Sequence, residues 1–518
     1  MPYAQAKIDE FRSRKMRDLE LVKSIPMSEI DSHLDQVGFN PPCELWEHQR
    51  RCCFLATRCP GLVLLLSCGL GKTRTAASIF DWHLSQGNAE RCLMITPFAT
   101  VVGEWRREMK NFPAINFSGL DGSTKENRAR WEDPTPNMVG CTVSMFLQRV
   151  GAAKNSKVDK QKALEKVVED FDMIIFDESS YLRKANTVIF NTLKSILDAI
   201  PYRVFLTGTP MNGDPQDLWP QFRLADGGYT LGESITLFRQ AYFTETKTRF
   251  RGRGMKVEYT FKDKHHSEVH SRIRNASIRY DASEHKSMPG MLGGLYSKHF
   301  ITRTARLPDS TKAQYQKKLD EIRAAKGDKD QIENAYLGMR KLCAGYMTVD
   351  DEDILFKHNP KLALLDDQIA QVPEGEKTLI GCWYKTTANL VLDHLKESGC
   401  KVAKIDGDTS AEERQRIIHE FRNTDKIDIL IGTLAIGYGV NLPEAKYLIF
   451  YESPDSQIDR EQFERRVLRG DSKHSPVCIE LVLAHTVDEW ILEGLLRKDK
   501  MNAKILQGKV DEVDENLL

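Results

Sequence analysis

The sequence predicts two α/β lobes, each built on a parallel sheet, with a mostly helical, basic insertion between them and a C-terminal docking helix. Three observations predict this. Two series of short apolar runs are continuous rather than alternating, as in strands buried on both faces of a sheet. Stretches of helical periodicity separate the runs, which is what crossovers between parallel strands require. Between the two series lies a stretch of different character, charged and largely helical in pattern. A chain of 518 residues has the length for several domains with sizeable cores.

Residues 1–40 read as a charged helical lead-in that ends at "FNPPC". The first lobe, 41–228, carries "GLVLLLS" (61–67), "RCLMITP" (91–97), "CTVSMF" (141–146), "FDMIIFDE" (171–178) and "YRVFLTG" (202–208) as strands. The insertion, 229–350, contains "KTRFRGRGMK" (247–256), five basic residues without an acid, followed by the alternating "VEYTF". Glycines beside arginine and phenylalanine suggest an exposed hairpin or loop there. The second lobe, 351–485, brings "KTLIGCW", "KVAKIDG", "IDILIGT", "AKYLIFY" and "PVCIELVLA". In the last segment, 486–518, Trp490, Leu492, Leu495 and Leu496 recur at helical spacing, as expected of a helix docked on the second lobe.

Composition excludes more than it selects. Lys plus Arg equals Asp plus Glu at 74 each, so any nucleic-acid surface has to be local. The 11 cysteines are scattered without C-x-x-C spacing, which fits neither a disulfide framework nor a zinc cluster and reads as reduced thiols. The N-terminus lacks the apolar core of a signal peptide, and no apolar run has membrane-spanning length. A soluble, cytoplasmic protein with no membrane partner is expected.

The chemistry starts at Gly69-Leu70-Gly71-Lys72-Thr73, a glycine turn between an apolar strand and a helix. Unsatisfied amides at such a turn, with the helix dipole behind them, bind anions. Lys72 would reach the outer phosphates of a nucleotide and the Thr73 hydroxyl would bind Mg²⁺. At the end of another apolar run stand Asp177 and Glu178, where ligands of open α/β sheets bind. Asp177 suits Mg²⁺ held through water, and Glu178 suits orientation and deprotonation of an attacking water. In "SQIDREQFERRVLRGD" (456–471), Gln462, Arg466 and Arg469 fall on one helical stripe. Arginines aimed at a γ-phosphate stabilise transition-state charge, whereas Glu461 and Arg465 read as an internal ion pair. Loop and arginines on different lobes imply ATP held between the two. His266 and His270 share a zinc-like spacing, but with no further ligand nearby they read as a surface helix.

These motifs resemble those of the superfamily-two helicases, and among them the Swi/Snf-type double-stranded DNA translocases. "LWEHQ" places Gln49 at the family's adenine-reading glutamine, and "ITPFATVVGEW" puts Trp105 in the family's position. "DESSYLRKAN", "LTGTPMNGDPQDLW", "IDGDTSAEERQRIIHEF", "IGTLAIGYGVNLPEAKYLIFYESP" and "QFERRVLRG" follow in family order. The resemblance covers roughly 45–220 and 355–500, and implies RecA-like lobes. Leu66, "YESPDS" and "RVLRGD" depart from the family pattern. The compact length and Asp-Glu-Ser-Ser look more like phage or bacterial members. By resemblance, Gly439 joins the nucleotide set, and Thr207 with Gln462 couples nucleotide state to the DNA face. Family DNA contacts map onto Thr96, Pro97, Ser144 and Lys184 in the first lobe and Asp406, Gly407 and Thr433 in the second. Arg249, Arg251 and Arg253 form the strongest local cationic feature, with Phe250 available to stack. The expected activity is ATP-driven movement on double-stranded DNA. A strand-separating helicase and a motor or scaffold that needs a protein partner are the alternatives.

Overall fold

The computed structural model describes residues 2–67, 69–151, 157–250, 254–281, 299–325, 328–433, 442–467, 476–502 and 505–506. The chain divides into two compact units. One comprises Met1–Thr246, Val257–Pro289 and Lys500–Leu518, and the other Lys247–Lys256 and Gly290–Asp499.

In the first unit the strands are β1 (Gly61–Leu66), β2 (Cys92–Thr96), β3 (Phe117–Gly119), β4 (Met138–Thr142), β5 (Met173–Asp177) and β6 (Tyr202–Thr207). Next, β7 (Phe243–Phe250) and β8 (Gly254–Phe261) pair with each other, and β9 (Ser277–Tyr280) returns to the main sheet. Seven strands lie in the order β3-β4-β2-β5-β6-β1-β9 with every neighbour parallel. Every residue of β1, β2 and β5 is buried, the consequence of helices on both faces. Each fully buried Leu, Ile or Phe adds roughly 1.5–3 kcal/mol. The lead-in docks through Phe11, over whose ring the Arg272 guanidinium lies at 4.2 Å.

The second unit contains β10 (His299–Arg306), β11 (Tyr346–Val349), β12 (Glu352–Leu355), β13 (Lys377–Gly381), β14 (Val402–Ile405), β15 (Ile429–Gly432), β16 (Ala445–Phe450) and β17 (Val477–Ala484). Its parallel sheet runs β10-β17-β16-β13-β15-β14, and β11 and β12 form a separate antiparallel pair. No helix among the described residues is long and apolar enough to cross a membrane.

Several local readings change. The run 141–146 is strand only to Thr142. The Thr142 hydroxyl accepts from the Met145 amide at 3.2 Å and caps a helix, Val143–Arg149. The stretch 229–350, read as an insertion, supplies β9 to one sheet and β10 to the other. The basic segment does form a strand pair, whose bases Phe243 and Phe261 meet edge to face with centroids 5.3 Å apart. The helix Val487–Asn502 docks on the second unit through Val487, Ile491 and Leu495 at i, i+4 and i+8, not through Trp490 and Leu496, which are exposed. At its end and beyond it, Met501, Ile505 and Leu506 pack on the core of the first unit, and the Ile505 carbonyl bonds to His270 Nδ1 at 2.9 Å.

Candidate functional site

The loop after β1 turns on two left-handed glycines, Gly69 at φ +83° and Gly71 at φ +69°. Alternating handedness of this kind gathers successive amides into a concavity suited to an anion. The φ of Gly71 is what requires glycine; an added Cβ would also press on Gln49 Nε2 and displace that side chain. Gln49 Oε1 accepts from the Trp46 amide at 2.8 Å and Nε2 donates to the Gly71 carbonyl at 3.3 Å. The expected adenine-reading residue is thereby fixed against the phosphate loop. Gly71 leads into the helix Lys72–Ser85, which puts the Thr73 hydroxyl in its first turn. Lys72 Nζ donates back to the Leu66 carbonyl at 3.3 Å. Leu66 itself is the last, fully buried residue of β1, which accounts for an apolar side chain where the family places a small or acidic one.

Asp177 ends β5 at the same edge of the sheet. Its Oδ2 accepts from the Trp105 indole at 2.8 Å, and Oδ1 from the Glu178 amide at 2.9 Å. Burial pushes its carboxyl up to about 6; Glu178 adds to this, while the Lys72 charge and the Trp105 bond oppose it. The loop's cation and the acid therefore share one electrostatic neighbourhood. A desolvated carboxylate with a negative neighbour and a hydroxyl donor suits a hard divalent cation, so Asp177 and Thr73 fit Mg²⁺. Glu178 is a non-glycine residue at φ +57°, a conformation that costs about 1–2 kcal/mol and collects at functional sites.

Thr207 ends β6 beside these groups, fully buried, its hydroxyl accepting from the Thr209 amide at 3.2 Å. Behind it lies a residue the sequence reading missed. Gln221, in the helix Leu218–Asp226, is wholly buried and bonds to Ser179 and to the Pro210 carbonyl. The signal was there: an amide among Leu218, Trp219 and Phe222 on a buried helix needs partners.

In the second unit the arginine stripe is not one helix. The helix Gln457–Glu464 ends before Arg466, whose Nε donates to the Gln462 carbonyl at 3.0 Å, satisfying a carbonyl that the helix end leaves open. Gln462 is buried, and among the described residues its Oε1 has no partner. Arg465 pairs with Glu461 at 2.7 Å, as the ion-pair reading expects. The helix is anchored by Arg460, buried between Glu464 and Glu480. Arg469 and Gly439 lie outside the described residues.

The expected DNA contacts divide. Ser144 is exposed at a helix start, with its hydroxyl 3.0 Å from that of Thr142, and Lys184 is exposed while pairing with Asp217 at 3.2 Å. Gly407 is exposed and Pro97 half-buried. The side chains of Thr96, Asp406 and Thr433 are buried, and Asp406 is occupied by Lys404, Thr409 and the Asp408 amide. At these three positions the side chain is turned inward and only the backbone is left to meet phosphate. Arg249 lies on β7; Arg251 and Arg253 lie outside the described residues.

Residues 44–212 match the family described as type III restriction enzyme, res subunit, and residues 360–471 match the helicase conserved C-terminal domain. Together they span more than half of the chain, in the order loop, acids, arginines. Over 475 residues the chain is 23% identical to a chromodomain-helicase-DNA-binding protein 1-like of Danio rerio, covering 88% of this chain and 43% of that one. It is 23% identical over 464 residues to the ISWI chromatin-remodeling complex ATPase ISW1 of Saccharomyces cerevisiae, covering 85% and 38%. The chain carries the two matched domains of a helicase-like ATPase and is similar to the Swi/Snf-type members. It is also 24% identical over 498 residues to the DNA repair and recombination protein RDH54 of Saccharomyces cerevisiae, covering 86% and 51%. The chain thus spans about half the length, or less, of these curated relatives. Among solved structures, the Sulfolobus solfataricus SWI2/SNF2 ATPase core in complex with dsDNA is 19% identical, with a TM-score of 0.39, covering 91% of this chain and 94% of that one.

Proposed function

We propose that the chain hydrolyses ATP to move along double-stranded DNA. The observation that carries this reading is the meeting of Lys72, Asp177 and Glu178 at one edge of a parallel sheet, in a chain of this family. The glycine turn and Lys72 hold the phosphates, Gln49 takes the base, and Asp177 with Thr73 holds the cation. Magnesium, when bound, supplies positive charge against the outer phosphates. Glu178 orients the attacking water and takes its proton. Arg466 and Arg469 stabilise charge on the transferring phosphoryl group. Ser144, Lys184 and the Arg249–Arg253 segment meet DNA phosphates, which gives affinity without sequence preference. The names of the relatives, chromatin-remodelling ATPases and a repair and recombination protein, support DNA as the partner.

The test is steady-state ATP hydrolysis at one fixed salt concentration with duplex DNA, single-stranded DNA, RNA or no nucleic acid. Stimulation by duplex alone supports the proposal. Preference for single strands or RNA refutes it in favour of strand separation, and no hydrolysis under any condition refutes the motor.

A further inference from the structure

The amide of Gln221 joins two loops of the ATP site. Its Oε1 accepts from the Ser179 hydroxyl at 2.8 Å. Its Nε2 donates to the Pro210 carbonyl at 2.6 Å and the Asp217 carbonyl at 2.9 Å. Ser179 directly follows Glu178, and Pro210 closes the Thr207-Gly208-Thr209 turn. One planar, buried group therefore spans from the water-activating carboxylate to the loop after β6. An outer strap runs alongside: Asp217 accepts from the Asn212 amide at 2.9 Å and from Lys184 Nζ at 3.2 Å.

A leucine at 221 would fill the apolar stripe and need no partner. A buried amide is tolerated only because these loops satisfy it. The link also bears on strain. Glu178 sits in a left-handed conformation that persists only where the surroundings over-determine it. Trp105 holds the turn from the Asp177 side, and Gln221 holds it from the Ser179 side. A shift of the Thr207–Pro210 loop pulls on a rigid amide, and through it on the residue next to Glu178.

We infer that Gln221 is a positioning residue that transmits movement of the Thr207–Pro210 loop to Glu178, so that hydrolysis answers to what that side of the first unit touches. This rests on the DNA-motor reading. Lys184, a proposed phosphate contact, makes the outer strap, so DNA that draws Lys184 away loosens that strap and leaves Gln221 to carry the signal.

The variants are Gln221→Leu and Ser179→Ala, measured for kcat and KM toward ATP with and without duplex DNA. Stimulation by DNA is expected to fall about five- to tenfold, within the range of one coupling interaction, with KM for ATP unchanged. The double variant should be no worse than Gln221→Leu, because both break one link. Equal loss of stimulated and basal rates, with their ratio intact, overturns the inference and leaves a structural role. Should Gln221→Leu not fold, Ser179→Ala breaks the same link without altering the buried helix.

Hydrogen exchange at amides 207–209 and 211–213, without DNA and with a slowly hydrolysed ATP analogue, separates the two readings. The wild type should show a nucleotide-dependent change there that Ser179→Ala loses. Wild-type hydrolysis unresponsive to DNA refutes the motor reading, and the exchange result then decides the link alone. Retention of the change in Ser179→Ala overturns the link.

Discussion

Gly71→Ala tests the phosphate loop most directly. Gly71 sits at φ +69°, and alanine there costs about 1–2 kcal/mol of backbone strain. The added Cβ would lie 2.2 Å from Gln49 Nε2, so Gln49 has to move. Its bonds to the Trp46 amide and the Gly71 carbonyl are lost with it, at roughly 0.5–1.5 kcal/mol each. Together these terms come to about 2–5 kcal/mol. The folded loop bears these costs with or without ATP. Binding therefore weakens to the extent that the empty loop relaxes into a form that ATP must reverse, by up to ~3000-fold at 1.4 kcal/mol per tenfold. The assay is equilibrium titration with a fluorescent ATP analogue, with melting temperature as a control for folding. In a Gln49→Ala background the collision is gone and only the strain remains, so the same glycine change should weaken binding by at most ~30-fold. Binding within threefold of wild type would refute this account of the loop, and equal effects in the two backgrounds would refute the collision.

Glu178→Gln should keep ATP binding and lower kcat by about 10²–10⁴-fold, the usual worth of a positioned base; substantial remaining turnover, read by phosphate release, would remove Glu178 from that role. Replacing Arg249, Arg251 and Arg253 together by glutamine should weaken duplex binding and reduce the slope of log K against log salt by roughly 2–3, near 0.9 per phosphate contact. An unchanged slope in fluorescence anisotropy would return the segment to a solvated strand pair. His83 gives a pH prediction. It is buried against Tyr202, with ring centroids 4.0 Å apart, and burial holds its imidazole down at about 4, from 6.5. The unfolded chain binds the proton more readily, so this contribution is full above pH 6.5 and is lost as pH falls toward 4. It amounts to ~1.4 kcal/mol per unit and roughly 3 kcal/mol in all. His83→Phe should flatten denaturant-measured stability over that window, and an unaltered slope would remove His83 as its source.

The central strands were legible because they are buried on both faces, which writes a continuous apolar run: β1, β2, β5, β6, β13, β15, β16 and β17 all fall within runs read from the sequence. The strands not foreseen are β3, β9 and β10 at sheet edges and the separate pair β11–β12, whereas the edge strand β14 does fall within a run read from the sequence. Edge strands are short or carry charge on the open side, as "SIRY" and "HFITRTAR" do, and so resemble loops. The glycine loop, Asp177 and Glu178 were legible for a related reason. Ligand groups of parallel sheets sit where an apolar run stops, and both landmarks are local.

Local pattern thus determined the two sheets, the phosphate loop and the acidic turn, since each depends on residues within a few positions of one another. Tertiary structure decided the rest. The helix bearing Gln462 ends at Glu464, where Arg466 turns back on the Gln462 carbonyl, so a stripe drawn on an ideal helix does not describe it. The buried face of Val487–Asn502 is set by its neighbours rather than by its own periodicity. The links of Trp105 to Asp177 and of Gln221 to Ser179 span 72 and 42 positions. Partners that far apart in the chain are chosen by the packing of whole elements, and no local periodicity encodes them.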